Sequence, residues 1–134
     1  MKKAELEDRK AQAAKYKIDD LEFSPESKAL FEQLRTQLLA LGDDVIELFG
    51  ANTVTYRVYD FFVEVIPRKR RVSLVLNLDF DECDDPTERA ADATEYAFII
   101  HATESGGVLF TVDDSAQIPA AMHIVRQAYD KVSE

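Results

Sequence analysis

Four consecutive cations, Arg68, Lys69, Arg70 and Arg71, interrupt two apolar runs in the stretch VIPRKRRVSLVLNL, within a chain of formal net charge -10. Guanidinium and ammonium groups at this density suit the binding of phosphate or carboxylate oxygens by charge-assisted hydrogen bonds. They suit equally the protection of a hairpin tip, because exposed strand ends are commonly guarded by Lys and Arg. Further along, Asp79, Asp81, Glu82, Asp84 and Asp85 have the look of a calcium loop. An EF-hand needs Gly at its sixth position and Glu at its twelfth, and counting from Asp79 gives Asp84 and Ala90. The pattern fails, and the run reads as a solvated loop covering a strand end.

Nucleolytic chemistry fares no better. Its acid-x-Lys triplets are expected on a strand, whereas the matches here, such as Glu26-Ser27-Lys28, fall in helical stretches. No G-x-S-x-G elbow and no Gly-rich phosphate loop occurs. The expectation is therefore no catalytic residue, no metal ligand and no cofactor. Two histidines remain. His101 reads as a strand residue which, with Arg57, Tyr59, Glu64 and Asn77, lines a half-polar sheet face where an imidazole has titratable neighbours. The plainer reading is a surface histidine. His123 falls between core positions of the last helix and reads as solvent-facing.

A chain of 134 residues, 46% hydrophobic and 31% charged, can bury one core and not two. The single cysteine, Cys83, forms no internal disulfide and no Cys-rich zinc site. No signal-type segment follows Met1 and no apolar run is long enough for a bilayer, so the expectation is a cytoplasmic protein with no membrane contact. With 26 acidic against 16 basic residues, most of the surface repels nucleic acid. A polyanion has to be met by a local patch, and Arg68, Lys69, Arg70 and Arg71, with Arg57, are the candidates.

These residues need elements to position them. Residues 1–23 read as a helical leader or linker, with a Glu5/Arg9 pair at i,i+4 spacing but few large apolar groups. Residues 24–134 read as a single domain. Ser24 is an N-cap with Pro25 and Glu26 in the first turn, and Leu30, Phe31, Leu34, Leu38 and Leu41 form one stripe ended by Gly42. From Val45 to Val112 the period is two, the signature of strands. With Pro67–Arg70 as a loop, Val65 lies opposite Val72, Val63 opposite Leu74 and Phe61 opposite Leu76, an apolar face. The reverse face pairs Glu64 with Ser73 and Phe62 with Val75, then continues to Asn77. A second hairpin turns at TESGG and sets Ile100 opposite Phe110. Between the hairpins lies an acidic connection with one short helix beginning at Pro86. The last helix starts at Ser115 or Asp114 and repeats Ile118, Ala121, Met122, Val125, Ala128 and Tyr129 at helical spacing. The fold class is α+β, an antiparallel β-meander of about five to six strands with N- and C-terminal helices packed on one face.

Three blocks, SPESKALFEQLRTQLLALGDDV, FFVEVIPRKRRVSLVLNLDFDECDDP and IPAAMHIVRQAYDKV, carry a further signal. Their order resembles an uncharacterised family of bacterial and archaeal domains often labelled "predicted transport protein", domain of unknown function 5655. The resemblance implies an accessory unit, because such domains often stand at the C-terminus of restriction and defence-type proteins whose other domains carry the nuclease activity. After the acidic loop this chain departs from the family pattern, reading AADATEYAFIIHATESGG and lacking Trp. The expected function is a non-catalytic recognition domain, an adaptor in a DNA-directed system, with a protein partner or upstream domain and weak nucleic-acid contact through the basic turn. The alternatives are a protein-interaction domain unrelated to DNA and a small-molecule binder using the polar face.

Overall fold

The computed structural model describes residues 23–50, 53–93 and 107–133. The leader expected over residues 1–23, the EYAFIIHA strand, the TESGG turn and His101 lie outside the described residues, apart from Phe23 and Gly107 at their edges. Helix α1 (Pro25–Leu39) begins at the predicted cap: the Ser24 hydroxyl accepts from the Ser27 N–H, and the Ser27 hydroxyl accepts from the Ser24 N–H. Two N–H groups that the helix cannot satisfy internally are thereby paired. The buried stripe of α1 is Ser27, Leu30, Phe31, Leu34 and Leu38, and Phe23 stacks on Phe31 with ring centroids 4.8 Å apart. The helix ends at Leu39 with Ala40 as its C-cap. Gly42 serves another purpose: a Cβ there would collide with the Tyr129 hydroxyl, so glycine allows the two helices' ends to approach.

The strands are β1 (Ile46–Phe49), β2 (Val54–Arg57), β3 (Phe61–Pro67), β4 (Val72–Leu76), β5 (Ala91–Asp92) and β6 (Val108–Val112). Among the described residues they form one antiparallel sheet in the order β1-β2-β3-β4-β6-β5. The first four are a meander; β6 then pairs with β4, and the short β5 lies on the edge. Helix α2 (Ile118–Ser133) follows a single 3-10 turn whose N-cap, Asp114, accepts from the Ala116 N–H.

The β3–β4 register differs from the expected one by two residues. Val65 faces Leu74, Val63 faces Leu76 and Pro67 faces Val72, so the loop is Arg68–Arg71, closed by a 2.9 Å hydrogen bond from the Arg68 N–H to the Arg71 carbonyl. A two-residue slip leaves every side chain on its predicted face, so the apolar stripe survives. Phe62 does change face. Arg57 pairs with Phe61 and Tyr56 with Val63, which leaves Phe62 as the extra residue of a bulge. It enters the core and meets Tyr129 edge-on, centroids 5.3 Å apart and planes at 84°.

Both helices pack on the face carrying Val63, Val65, Leu74 and Phe110, and these join Leu34, Leu38, Met122 and Val125 in one buried cluster. The reverse face was expected to be open and half-polar. Instead Val75 and Ala93 are fully buried there with Ile66 and Leu109 packed against them, and Glu64 and Ser73 are only 8% and 6% exposed. Burial on both faces follows from Val75 and Leu109, apolar residues at alternate positions on paired strands.

Among the described residues the acidic connection has a 3-10 turn at Phe80–Glu82, and no helix begins at Pro86. The Asp85 carboxylate explains the difference: it accepts from the N–H groups of Thr87, Arg89 and Ala90 and from the Thr87 hydroxyl. A side chain that takes these donors offers the backbone a turn in place of a helix. Glu88 completes it at φ 58°. Among the described residues no helix is long and apolar enough to cross a membrane.

Candidate nucleic-acid interface

Antiparallel order places the β3–β4 loop at one end of the sheet, beside the start of α1 and the end of β6. The Ser24 hydroxyl donates to the Lys69 carbonyl oxygen, so the helix cap and the basic turn are tied together. On the other side, Val72 pairs with Val112, a register that sets Asp113 beside Arg71. Arg68, Lys69, Arg70, Arg71 and Asp113 line an open cleft of about 440 Å³. Lys69, Arg70 and Arg71 are exposed and Arg68 is half-buried. Among the described residues, none of Lys69, Arg70 and Arg71 has a carboxylate within 4.0 Å.

The N-terminus of α1 supplies an anchor here and few donors. Pro25 has no N–H, the Ser27 N–H is used by Ser24, and Glu26 adds a negative charge to the first turn. The cleft's positive potential therefore comes from side chains. Its one acid is held in place: the Gln117 amide donates to Asp113 Oδ1 at 2.7 Å while the Asp113 N–H donates to Gln117 Oε1 at 2.8 Å. Arg89 stands 4.0 Å from the same Oδ1.

Of the predicted basic group, the structure gathers the four turn residues and leaves out Arg57. That residue ends β2 opposite Phe61, and the seven-residue β3 separates it from the tip by roughly 20 Å. Its Nη2 donates to the Tyr59 carbonyl at 3.2 Å, and its Nε is buried without a partner among the described residues. Of the polar-face residues, Tyr59 and Asn77 lie with Arg57 at the β2–β3 turn, and Glu64 lies apart from them. Tyr59 stands 55% exposed in the β2–β3 turn, Glu64 is buried in mid-strand, and Asn77 donates to the Phe61 carbonyl at 2.9 Å and to Asp60 at 3.3 Å.

Three polar constellations escaped the sequence reading. Glu47 receives Arg35 through two 2.8 Å hydrogen bonds and the Tyr56 hydroxyl at 2.6 Å, joining α1 to the sheet. Burial first, and then the Glu47 charge, push the Tyr56 hydroxyl far above its ordinary range, so it remains a donor. The hydrogen bond to Glu47 likewise raises the Arg35 guanidinium, against partial burial. Second, His123 Nε2 lies 3.0 Å from Asp84 Oδ2, and Gln127 bonds both the N–H and the carbonyl of Asp84, clasping the acidic loop to α2. The i,i+4 spacing of His123 and Gln127 was the available signal. Third is the Asp113–Gln117 clasp, also at i,i+4. Cys83 is half-buried, and burial, with the charges of Asp85 and Asp84, raises its thiol and keeps it protonated. Among the described residues no three His, Cys, Asp or Glu side chains converge as metal ligands would.

The sequence matches the domain of unknown function DUF5655 over residues 19–132, a span that contains every described strand, the cleft and nearly all of α2. The chain belongs to this family. The DUF5655 description assigns no chemistry. No curated protein and no solved structure matches the chain. The chemistry of this DUF5655 domain has to be read from the cleft itself.

Proposed function

We propose that this DUF5655 domain is a non-catalytic recognition module that holds nucleic acid by its phosphates through the Arg68–Arg71 turn, as the accessory part of a DNA-directed system. The carrying observation is the anchored turn, where Lys69, Arg70 and Arg71 have no carboxylate partner among the described residues while the chain as a whole is at -10. Cations left unneutralised in an acidic chain keep their attraction for an external anion, and the surrounding acids repel the same anion elsewhere. Binding through so few contacts is weak and insensitive to sequence. The defence-type setting rests on the resemblance in the three sequence blocks alone.

An acidic protein is the competing occupant, because the same cations pair with carboxylates. Fluorescence anisotropy with a labelled oligonucleotide at low salt separates the two. The wild-type domain binds, and the variant with Arg68, Lys69, Arg70 and Arg71 all replaced by Ser does not, while its melting temperature is unchanged. Absence of binding at about 100 μM protein, where typical non-specific DNA binders are substantially occupied, overturns the nucleic-acid reading in favour of a protein contact.

A further inference from the structure

Resting on that reading, the shape and the one acid of the cleft specify the ligand further. We infer that the cleft takes an unpaired nucleotide of a DNA strand, its phosphate and those of its neighbours along the strand against Arg68–Arg71 and an amino group of its base against Asp113. Asp113 Oδ1 is spent on the Gln117 clasp, and the carboxylate repels a phosphate that approaches it, so its Oδ2 suits a hydrogen-bond donor and not an anion. A carboxylate does accept hydrogen bonds from the exocyclic amines of cytosine, adenine or guanine. In a duplex the Watson–Crick edges that present those amines are largely engaged; in a single strand they are free.

Two details make Asp113 fit this role. Gln117 holds Oδ1, with Arg89 4.0 Å from the same oxygen, which leaves Oδ2 without a hydrogen bond among the described residues, and the β4–β6 register brings Asp113 to the basic turn. The volume of about 440 Å³ lies within the range of small-ligand sites, large enough for one nucleotide and concave where a duplex is convex. Cations and a held acceptor lining the same cleft match the two ends of a nucleotide.

The test compares anisotropy of a mixed-sequence single strand and of a duplex of the same length, at one salt concentration, on wild type, Asp113→Ala and Asp113→Asn. A hydrogen bond to a charged group changes affinity by about tenfold or more, so the wild type prefers the single strand by about that factor. Asp113→Ala loses most of this preference, by weaker single-strand binding and stronger duplex binding, since a repelling charge has gone. Asp113→Asn keeps the shape and the Gln117 contact; it raises duplex affinity while retaining the fold if Ala does not. Equal or tighter duplex binding by the wild type overturns the inference and leaves the phosphate reading standing. A preference unchanged in both variants also overturns it. Binding of neither probe overturns the reading beneath it.

Discussion

Glu47 accepts hydrogen bonds from both Arg35 and Tyr56 at the seam between α1 and the sheet, and the fate of that one carboxylate shows how single residues stabilise the domain. Tyr56 is fully buried. Tyr56→Phe leaves the ring in place and removes one hydrogen bond to a charge, a loss of about 1.5–3 kcal/mol in urea denaturation. A change below about 0.5 kcal/mol would show that the bond contributes nothing net. Asp85 makes a pH-dependent case. Partial burial pushes its carboxyl up, but hydrogen bonds from the Thr87 hydroxyl and from the N–H groups of Ala90, Thr87 and Arg89 outweigh it and hold the group below its ordinary value. A depressed folded pKa gives stability that is complete above the unfolded value of about 3.9 and disappears as pH falls through the folded one. Melting curves of wild type and Asp85→Ala should therefore differ at neutral pH and converge below about pH 4; a constant gap across that window contradicts the assignment. Neither network was legible in sequence, because each joins residues that only the fold brings together.

At the scale of elements, period and caps were legible and pairings were not. Ser24, Pro25 and the Leu30–Leu38 stripe identify α1 from local chemistry alone, and alternation identifies β3 and β4. Their register depended on which residues form the loop, and Pro67 was compatible with either the loop or the last strand position that it occupies. Phe62 defeated alternation because a bulge inserts one residue. The helix expected at Pro86 lost to Asp85, whose side chain captures the backbone N–H groups a helix would have used. Core truncation tests the packing: Leu74→Ala should cost about 2–5 kcal/mol, given that Leu74 is fully buried between Val65 and Phe110. Ser24→Ala removes the cap for about 0.5–2 kcal/mol. It also frees the Lys69 carbonyl, so hydrogen exchange in the Arg68–Arg71 turn should speed up with it; unchanged exchange there would show that the turn does not depend on its anchor.

At the scale of the whole molecule, the basic turn occupies one end of the sheet with Glu26, Asp113 and Asp114 near it, while Asp43, Asp44, Asp60, Asp79, Asp81 and Glu82 follow or precede strand ends at the other. Net charge and the basic run were plain in the sequence, but the cleft was not, because Asp113 reaches Arg71 only through the pairing of β4 with β6. Under the proposed function a polyanion is drawn to the basic turn and repelled by the acids at the far end, so the domain would meet it tip first. In the proposed function the contact consists of these four cations and little else. The most direct test is the affinity for a single-stranded oligonucleotide as a function of salt concentration. Four neutralised phosphates predict that log affinity falls against log salt with a slope of about -2.8, at about 0.7 per phosphate on a single strand, and that each cation replaced by Ser makes the slope shallower by about 0.7. A slope near zero, or one that stays unchanged when the four are removed, would contradict the account.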